Sequence, residues 1–283
     1  MDAFTGKVAF VTGAAGGIGL AIARAFARES MSVMMADIDG DLLDEKVREI
    51  RAEGGDVAGM VCDVGKAADV FRGAQETLER FGRIHVLVNN AGVSVEGIRA
   101  GKVPPEDWQW IVNVNLLGVA YGVEAFLPVM QEQGEGGHIV NTASIAGHFG
   151  VPALGPYNAT KAAVIAYSES MAAELKDQNI GVSVLCPAVV KSRIHLSRRN
   201  HPEADLREVE ETDRQKKMMQ TAMDADRVAQ MVLRAIRQNE LYIFTHKELL
   251  PVLEARHRRI IDAYKHCNEQ NGTADPAPFG TPG

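Results

Sequence analysis

The sequence predicts an α/β fold in which one doubly wound, parallel sheet of seven strands carries helices on both faces. Short apolar segments alternate with longer amphipathic ones, a pattern typical of parallel strands joined by helices. The first apolar segment runs directly into a glycine-rich turn. The 283 residues, 46% of them hydrophobic, are enough to bury one large core.

The alternation can be followed element by element. Each predicted strand is a short apolar run, and each predicted helix has apolar residues at helical spacing. Because the carboxyl ends of parallel strands share one edge of the sheet, a ligand site is expected at that edge. The predicted strands are 7–12, 32–37, 57–62, 84–89, 137–143, 180–186 and 241–244, and the predicted helices are 18–29, 40–53, 66–81, 105–131, 156–178 and 225–239.

The turn between the first strand and the first helix has glycine at Gly13, Gly17 and Gly19. Glycine is needed where the backbone takes a positive φ angle or approaches a ligand closely. The helix that begins at Ile18 offers free N–H groups at its N-terminus, which can bind a pyrophosphate. This strand, turn and helix therefore predict a Rossmann-type dinucleotide site.

The second strand ends at Asp37, whose carboxylate can accept hydrogen bonds from the adenosine ribose. The same carboxylate would repel a 2′-phosphate by on the order of 4 kcal/mol at ~4 Å and an effective dielectric of about 20. Residues 13–19 contain no Arg or Lys, and Ile38 follows Asp37, so this part of the sequence has no cation to offset the repulsion. We therefore predict NAD rather than NADP as the cofactor.

Ser144 follows the fifth strand, and Tyr157 and Lys161 come later, four residues apart. Residues at that spacing share one face of a helix. An ammonium group beside a phenol favours the phenolate and lowers the phenol's pKa from its ordinary value of roughly 10. The pair predicts a group that moves a proton onto or off an alcohol oxygen.

Together these motifs resemble the short-chain dehydrogenase/reductase family, in its single-domain branch, from about Gly6 to about Phe244. One departure from the family pattern is Ala188, since the family usually has glycine after the proline that follows its sixth strand. The matching motifs are Thr12-Gly13-x-x-x-Gly17-x-Gly19, Asp63-Val64, Asn89-Asn90-Ala91-Gly92, Asn115, Ser144, and Tyr157 with Lys161.

The resemblance implies a role for each residue. Tyr157 would be the general acid/base, and Lys161 would lower its pKa and bind the nicotinamide ribose. Ser144 would hydrogen-bond the reacting oxygen, and Asn115 would hold a water that passes the proton outward. The residues implied to contact NAD are Gly13, Gly17, Ile18, Gly19, Asp37, Asp63, Val64, Asn90, Ala91, Gly92, Tyr157, Lys161, Pro187, Val190 and Ser192.

The predicted pocket walls are mainly apolar and carry few fixed cations, so the expected partner is a neutral, bulky, hydrophobic secondary alcohol or its ketone. The stretch 186–194 and the helix after Phe244 resemble NAD-dependent dehydrogenases that oxidise benzylic alcohols of lignin-derived aryl ethers. Steroid, terpene and alicyclic alcohol dehydrogenases of the same family stay open, as do acyl-chain ketone reductases. The walls are 93–98, 146–154, 188–190 and 194–196.

Two other classes of function are weighed. A dinucleotide-binding regulator that senses redox state without turnover would be expected to lack one of the four catalytic residues, and all four are present. An epimerase or dehydratase on the same nucleotide fold usually needs a larger C-terminal region than the one that follows Phe244.

Composition excludes several partners. The net charge of −7 argues against nucleic acid. Three scattered cysteines and eight histidines without metal-ligand spacing predict no metal site. No apolar run approaches the roughly eighteen residues of a membrane-spanning helix, and the first strand begins too early to leave room for a signal peptide. A cytoplasmic location is expected.

One domain is expected over 1–267, with a flexible tail at 268–283. The charged segment 190–222, broken by Pro202, is expected to cover the substrate, and we call it the lid segment. The resemblance implies a homo-oligomer, a tetramer or a dimer. Apolar residues beyond one face of two helices support this: Trp110, Leu116, Leu117, Val119, Phe126, Leu127, Val164, Ile165, Met171 and Leu175.

Overall fold

Seven parallel strands form one sheet in the computed structural model, which describes residues 3–203 and 211–271, without the side chains of Arg214 and 268–271. Their order, β3-β2-β1-β4-β5-β6-β7, confirms the predicted fold class. The chain moves outward from β1 to β3 and then returns to β4, so a crevice lies at the ends of β1 and β4. The strands are β1 Val8–Thr12, β2 Ser32–Asp37, β3 Val57–Val61, β4 Val86–Asn89, β5 Gly137–Thr142, β6 Ile180–Cys186 and β7 Tyr242–Phe244.

The register of β1 brings three motifs to one edge. Val11 lies beside Met35 of β2 and Val88 of β4, so the glycine turn, Asp37 and the Asn89 turn all follow at the same level. Alternate residues of a strand point to opposite faces, and β1 accordingly supplies Val11 to one core cluster and Phe10 to the other. The sheet is therefore buried on both faces, as parallel sheets are.

Helices cover both faces of the sheet. α1 and α8 pack together over one face, and α3, α5 and α6 contribute to the core on the other. The helices are α1 Gly17–Arg28, α2 Gly40–Ala52, α3 Ala67–Phe81, α4 Pro105–Val112, α5 Gly118–Gln133, α6 Gly155–Glu174, α7 Asp213–Thr221, α8 Ala225–Gln238 and α9 Leu250–Asn271.

The predicted helix 105–131 is interrupted. A five-residue π-helical turn, Asn113–Leu117, separates α4 from α5 and contains Asn115. Single π turns inside α-helices are frequent at functional sites.

The lid segment is partly described. It begins with a bridge between Val190 and Met223, continues through a 3₁₀ helix, Ile194–Asn200, and includes α7. Residues 204–210 of the lid segment lie outside the described residues. Its role as a lid stays a prediction.

The chain divides into two compact units, one ending at Thr245 and one beginning at His246. The second unit contains a short 3₁₀ helix, Lys247–Leu249, followed by α9. The prediction of one domain over 1–267 stays a prediction. α9 continues to Asn271, and 272–283 lie outside the described residues, so the flexible tail at 268–283 stays a prediction as well.

One continuous helical stretch, Pro105–Gln133, is long and apolar enough to cross a membrane by length and composition alone, with a mean hydropathy of 1.4 over its most apolar window. This corrects the expectation that no segment reaches that length. Half of the window is buried inside the protein, so packing against the core accounts for much of its apolar character.

Candidate active site

The glycine turn forms a cradle that side chains would fill. Gly13 and Gly17 have φ angles of 65° and 52°, which favour glycine. A Cβ atom at Gly19 would collide with the carbonyl oxygen of Gly13. Gly16 precedes α1 without a side-chain cap, so the first N–H groups of α1, near Ile18, face no capping side chain. The turn therefore has the shape and the donors of a phosphate site.

Thr12 and Asn90 hold this turn against the end of β4. The Thr12 hydroxyl accepts hydrogen bonds from the backbone N–H groups of Asn90, at 2.9 Å, and Ala91, at 3.0 Å. The Asn90 side chain donates back to the Thr12 carbonyl at 3.0 Å. A Cβ at Gly13 would lie 2.9 Å from the Ala91 Cα. Thr12 was not among the predicted site residues, although its place in the motif could have indicated it.

Asp37 is fixed at the end of β2. Its Oδ2 accepts a hydrogen bond from the Ala15 N–H at 2.9 Å, and its Oδ1 accepts one from the Asp39 N–H at 3.0 Å. The carboxylate that was predicted to bind the adenosine ribose is thus hydrogen-bonded to the glycine turn.

Two arginines near Asp37 were missed by the sequence argument. Arg193 Nη2 lies 3.6 Å from Asp39 Oδ2. Arg199 is close enough for the charges of Asp37 and Asp39 to act on it. The prediction that no cation offsets the charge of Asp37 rested on residues near it in the sequence. It is wrong for the folded chain, because the lid segment, which is far from Asp37 in the sequence, brings both arginines close to Asp37 and Asp39.

Asp63 and Val64 follow β3. The Asp63 carboxylate accepts a hydrogen bond from the Gly65 N–H at 3.0 Å and pairs with Lys66 at 3.3 Å. Val64 is buried and packs against Gly118, where a Cβ would lie 3.0 Å from the Val64 Cγ2. Val64 thereby joins this turn to the start of α5.

Lys161 is buried at the centre of the site. Its ammonium Nζ donates to the Thr142 carbonyl at 2.7 Å and lies 5.7 Å from the centre of the Tyr157 ring. A Cβ at Gly92 would lie 3.4 Å from both this Nζ and the Asn115 Oδ1, so these groups converge. Burial lowers the pKa of Lys161 to about 8.

Asn115 uses its whole side chain to hold the turn after β4. Its Oδ1 accepts from the Val93 N–H at 2.8 Å, and its Nδ2 donates to the Val93 carbonyl at 2.9 Å and to the Thr160 hydroxyl at 3.4 Å. The predicted water-holding role stays a prediction, and the side-chain atoms are already engaged elsewhere.

Ser144 acts on the pKa of Tyr157, but the pKa of the phenol moves in the direction opposite to the predicted one. Burial raises the pKa of Tyr157 to about 12; a hydrogen bond with Ser144 lowers it, and the charge of Glu96 raises it. Burial is the largest of these causes, and it outweighs the lowering that was predicted from the Lys161 ammonium.

The segment after β6 lies against both halves of the site. The Pro187 carbonyl accepts from the Ile145 N–H at 3.0 Å and from the Ser144 hydroxyl at 3.3 Å. A Cβ at Gly17 would lie 2.9 Å from the Ser192 Cβ. Ala188, where the family usually has glycine, is not among the positive-φ residues, so the departure causes no backbone strain.

A charged cluster joins the lid segment to α4. Asp107, 2% exposed, accepts a 2.6 Å hydrogen bond from Arg198 Nη2, and His201 Nε2 lies 3.5 Å from its other oxygen. The His201 ring packs edge-on against Trp110. Trp110 is therefore explained by contacts within the chain. We call Asp107, Arg198 and His201 the latch.

No group of three or more His, Cys, Asp or Glu side chains within the described ranges is arranged to hold a metal ion. The expectation that the protein needs no metal stays a prediction.

Comparison with known proteins identifies the family. A short chain dehydrogenase profile matches residues 7–203, more than half of the chain. The chain belongs to the short-chain dehydrogenase family. It is therefore an oxidoreductase, and the resemblance inferred from the motifs is confirmed.

Individual members of the short-chain dehydrogenase family match over most of their length. The chain is 33% identical to a CLA biosynthesis dehydrogenase/reductase of Lactiplantibacillus plantarum, covering 92% of this chain and 95% of that protein. It is 32% identical to a C alpha-dehydrogenase of Sphingobium sp. SYK-6, covering 93% and 88%. A short chain dehydrogenase/reductase of Burkholderia phymatum, solved in complex with NAD, superimposes with a TM-score of 0.86 at 37% identity, covering 99% and 100%.

Proposed function

We propose that this short-chain dehydrogenase is an NAD-dependent enzyme that interconverts a neutral, bulky, hydrophobic secondary alcohol and its ketone, with Tyr157 as the general acid/base. The observation that carries the proposal is the convergence of three side chains beside the glycine turn. Ser144 is close enough to Tyr157 to lower the pKa of its phenol, and the buried Lys161 ammonium lies 5.7 Å from the centre of the same ring.

The residues present fit a dinucleotide. The cradle at Gly13, Gly17 and Gly19 would be filled by any Cβ, and α1 begins there without a capping side chain. Asp37 is positioned at the end of β2 to accept hydrogen bonds from a ribose. Lys161 is 2% exposed, and its Nζ lies 3.4 Å from the position that a Cβ of Gly92 would occupy in the turn after β4.

When bound, the nicotinamide ring supplies the hydride acceptor or donor. During oxidation the deprotonated Tyr157 phenolate accepts the proton of the substrate alcohol, and during reduction the Tyr157 hydroxyl donates a proton to the oxygen of the ketone. Ser144 positions the reacting oxygen by hydrogen bonding. For Tyr157 to accept a proton near neutral pH, its pKa must fall from about 12. Each unit corresponds to about 1.4 kcal/mol, and nearby positive charge lowers the pKa of a phenol.

The substrate and cofactor are proposed from three further observations. Apolar residues dominate the walls around Tyr157, and Val93 and Val95 are buried there with Ile111. The similarity to a C alpha-dehydrogenase favours an aryl, benzylic alcohol. The NAD-bound neighbour favours NAD.

Steroid, terpene or alicyclic alcohols are the alternative substrates, and a non-catalytic dinucleotide sensor is the alternative class. A cytoplasmic location is part of the proposal.

A substrate panel and one substitution test the proposal. Aryl, steroid and alicyclic alcohols are offered with NAD or NADP, and reduced cofactor is followed by absorbance. We expect turnover of an aryl alcohol, with NAD preferred. Tyr157→Phe should abolish turnover and leave NAD binding intact, since only the hydroxyl is lost.

Tyr167→Phe on the same helix is the matched control and should remain active. Retention of more than a few per cent of wild-type kcat by Tyr157→Phe would exclude Tyr157 as the acid/base. NAD binding without turnover of any alcohol would favour the sensor.

A further inference from the structure

The lid segment crosses the glycine turn and places a guanidinium over it. The Arg193 Nε and Nη2 atoms both lie 3.9 Å from the position that a Cβ of Gly16 would occupy. Ser192, one residue earlier, contacts Gly17. Arg193 therefore brings a cation into contact with the glycine turn, whose own residues, 13–19, include no Arg or Lys.

A second arginine supports the first. Arg199 Nη1 donates to the Arg193 carbonyl at 2.9 Å and to the Leu196 carbonyl at 3.0 Å, which fixes the backbone that carries Arg193. Arg199 is itself close enough to Arg193 for the two charges to repel. Two like charges are thus held near one point, an arrangement that an anion would stabilise.

The partner that Arg193 has in the structure is a weak one. Its Nη2 lies 3.6 Å from Asp39 Oδ2, and both side chains are more than a third exposed. Exposed ion pairs contribute little to stability. A charge-assisted pair with a phosphate, which can accept two guanidinium N–H groups at once, is stronger.

We propose that Arg193 is a cofactor-binding residue whose guanidinium leaves Asp39 and pairs with a phosphate group of the bound dinucleotide. The inference rests on the proposed function, because it needs a dinucleotide at the glycine turn. The phosphate then contacts the N–H groups of α1 on one side and Arg193 on the other. Binding of the cofactor thereby holds this part of the lid segment on the turn.

Equilibrium binding tests the exchange without relying on turnover. Adenosine, ADP, NAD and NADP are titrated by calorimetry into the wild type, Arg193→Gln, Asp39→Asn and the double variant. Asp39 also caps α2 through the Leu42 N–H, at 3.3 Å, and asparagine keeps that cap while removing the charge. Lys191→Gln is the matched control, since that lysine pairs with Asp224 at 2.7 Å.

We expect Arg193→Gln to weaken ADP and NAD roughly tenfold or more and to leave adenosine within about twofold. Asp39→Asn should tighten ADP and NAD several-fold, and this gain should vanish in the double variant. Lys191→Gln should match the wild type. Arg193→Lys, which keeps the charge and loses the fork, should fall between.

The ligands separate the two phosphate sources. A loss with ADP and NAD identifies the pyrophosphate, and a loss confined to NADP identifies the 2′-phosphate. Unchanged affinity of Arg193→Gln for ADP, NAD and NADP would overturn this inference and leave the proposed function standing. The same would follow if Arg193→Gln weakened adenosine as much as it weakened the phosphorylated ligands. A gain from Asp39→Asn that persists in the double variant would overturn the exchange with Asp39. A wild type that binds none of them would overturn the proposed function and this inference with it.

Discussion

At the scale of single residues, the proposed role of the Lys161 charge can be tested separately from the packing of the side chain. Lys161→Gln keeps a donor for the Thr142 carbonyl but removes the charge. We expect kcat for alcohol oxidation to fall roughly tenfold or more, because the Tyr157 phenolate that must form during turnover loses the positive charge that lies 5.7 Å from its ring centre. In the wild type this stabilisation of the phenolate declines as pH rises above about 8, the pKa of Lys161, because the ammonium group then loses its charge. The pH profile of kcat/KM checks this, and an unchanged profile would refute it.

His138 links stability to pH. Its side chain is buried, with Nε2 2.8 Å from the Ser183 hydroxyl, and burial lowers its pKa to about 3. An unfolded chain takes up a proton near pH 6.5. Between pH 6.5 and about 3 the unfolded state therefore binds more protons, so folding is destabilised as pH falls, by up to about 1.4 kcal/mol per unit from this group.

Urea unfolding tests this effect of His138. The free energy of unfolding is measured for the wild type and for His138→Gln, each at pH 7 and at pH 5.5. The variant should lose less stability over that interval, since glutamine keeps a hydrogen bond and does not titrate. Equal losses in the two proteins would show that His138 is not the group responsible.

At the scale of elements, the latch attaches the lid segment to α4. Asp107→Asn removes the buried charge that Arg198 and His201 contact. We expect residues 194–203 to exchange amide hydrogens at least several-fold faster. In the wild type, local opening of this segment must break the contacts of the buried Asp107 carboxylate, and in the variant that cost is lost. Lys191→Gln, whose exposed partner is Asp224, is the control. Equal exchange in Asp107→Asn and the wild type would show that the latch does not hold the segment.

At the scale of the whole molecule, the apolar residues of the two helices give less support to an oligomer than the sequence indicated, and the last strand of the sheet gives new support. Seven of the ten apolar residues cited from the sequence are buried within the chain's own core, and Leu116, Leu117 and Leu127 are half-buried. The last strand of the sheet instead exposes Tyr242 and Phe244, 40% each, with their rings stacked. Exposed aromatic residues on an edge strand are typical of an association surface.

The prediction remains a homo-oligomer, a tetramer or a dimer. Light scattering should give a multiple of 30.6 kDa, and Phe244→Lys should shift the mass toward the monomer. Phe71→Lys, at another exposed phenylalanine, should have no effect. A wild type that is monomeric at micromolar concentration would refute the prediction.

The sequence by itself determined the fold class, the seven strands, the six helical segments that it predicted, and the residues that converge at the carboxyl edge of the sheet; it did not indicate α7. These depend on local periodicity and on glycine at Gly13, Gly17 and Gly19, which neighbouring residues reveal. The seven strands agree with the prediction to within two residues at either end.

Tertiary structure alone decided the π turn around Asn115, the raised pKa of Tyr157 and the position of Arg193 near Asp39. A pKa depends on burial and on charges from every side of a group, and a helix irregularity depends on what the side chain binds. Arg193 and Asp39 lie far apart in the chain, and only the crossing of the lid segment over the glycine turn brings them together. Such contacts leave no local pattern, so no spacing in the sequence could have indicated them.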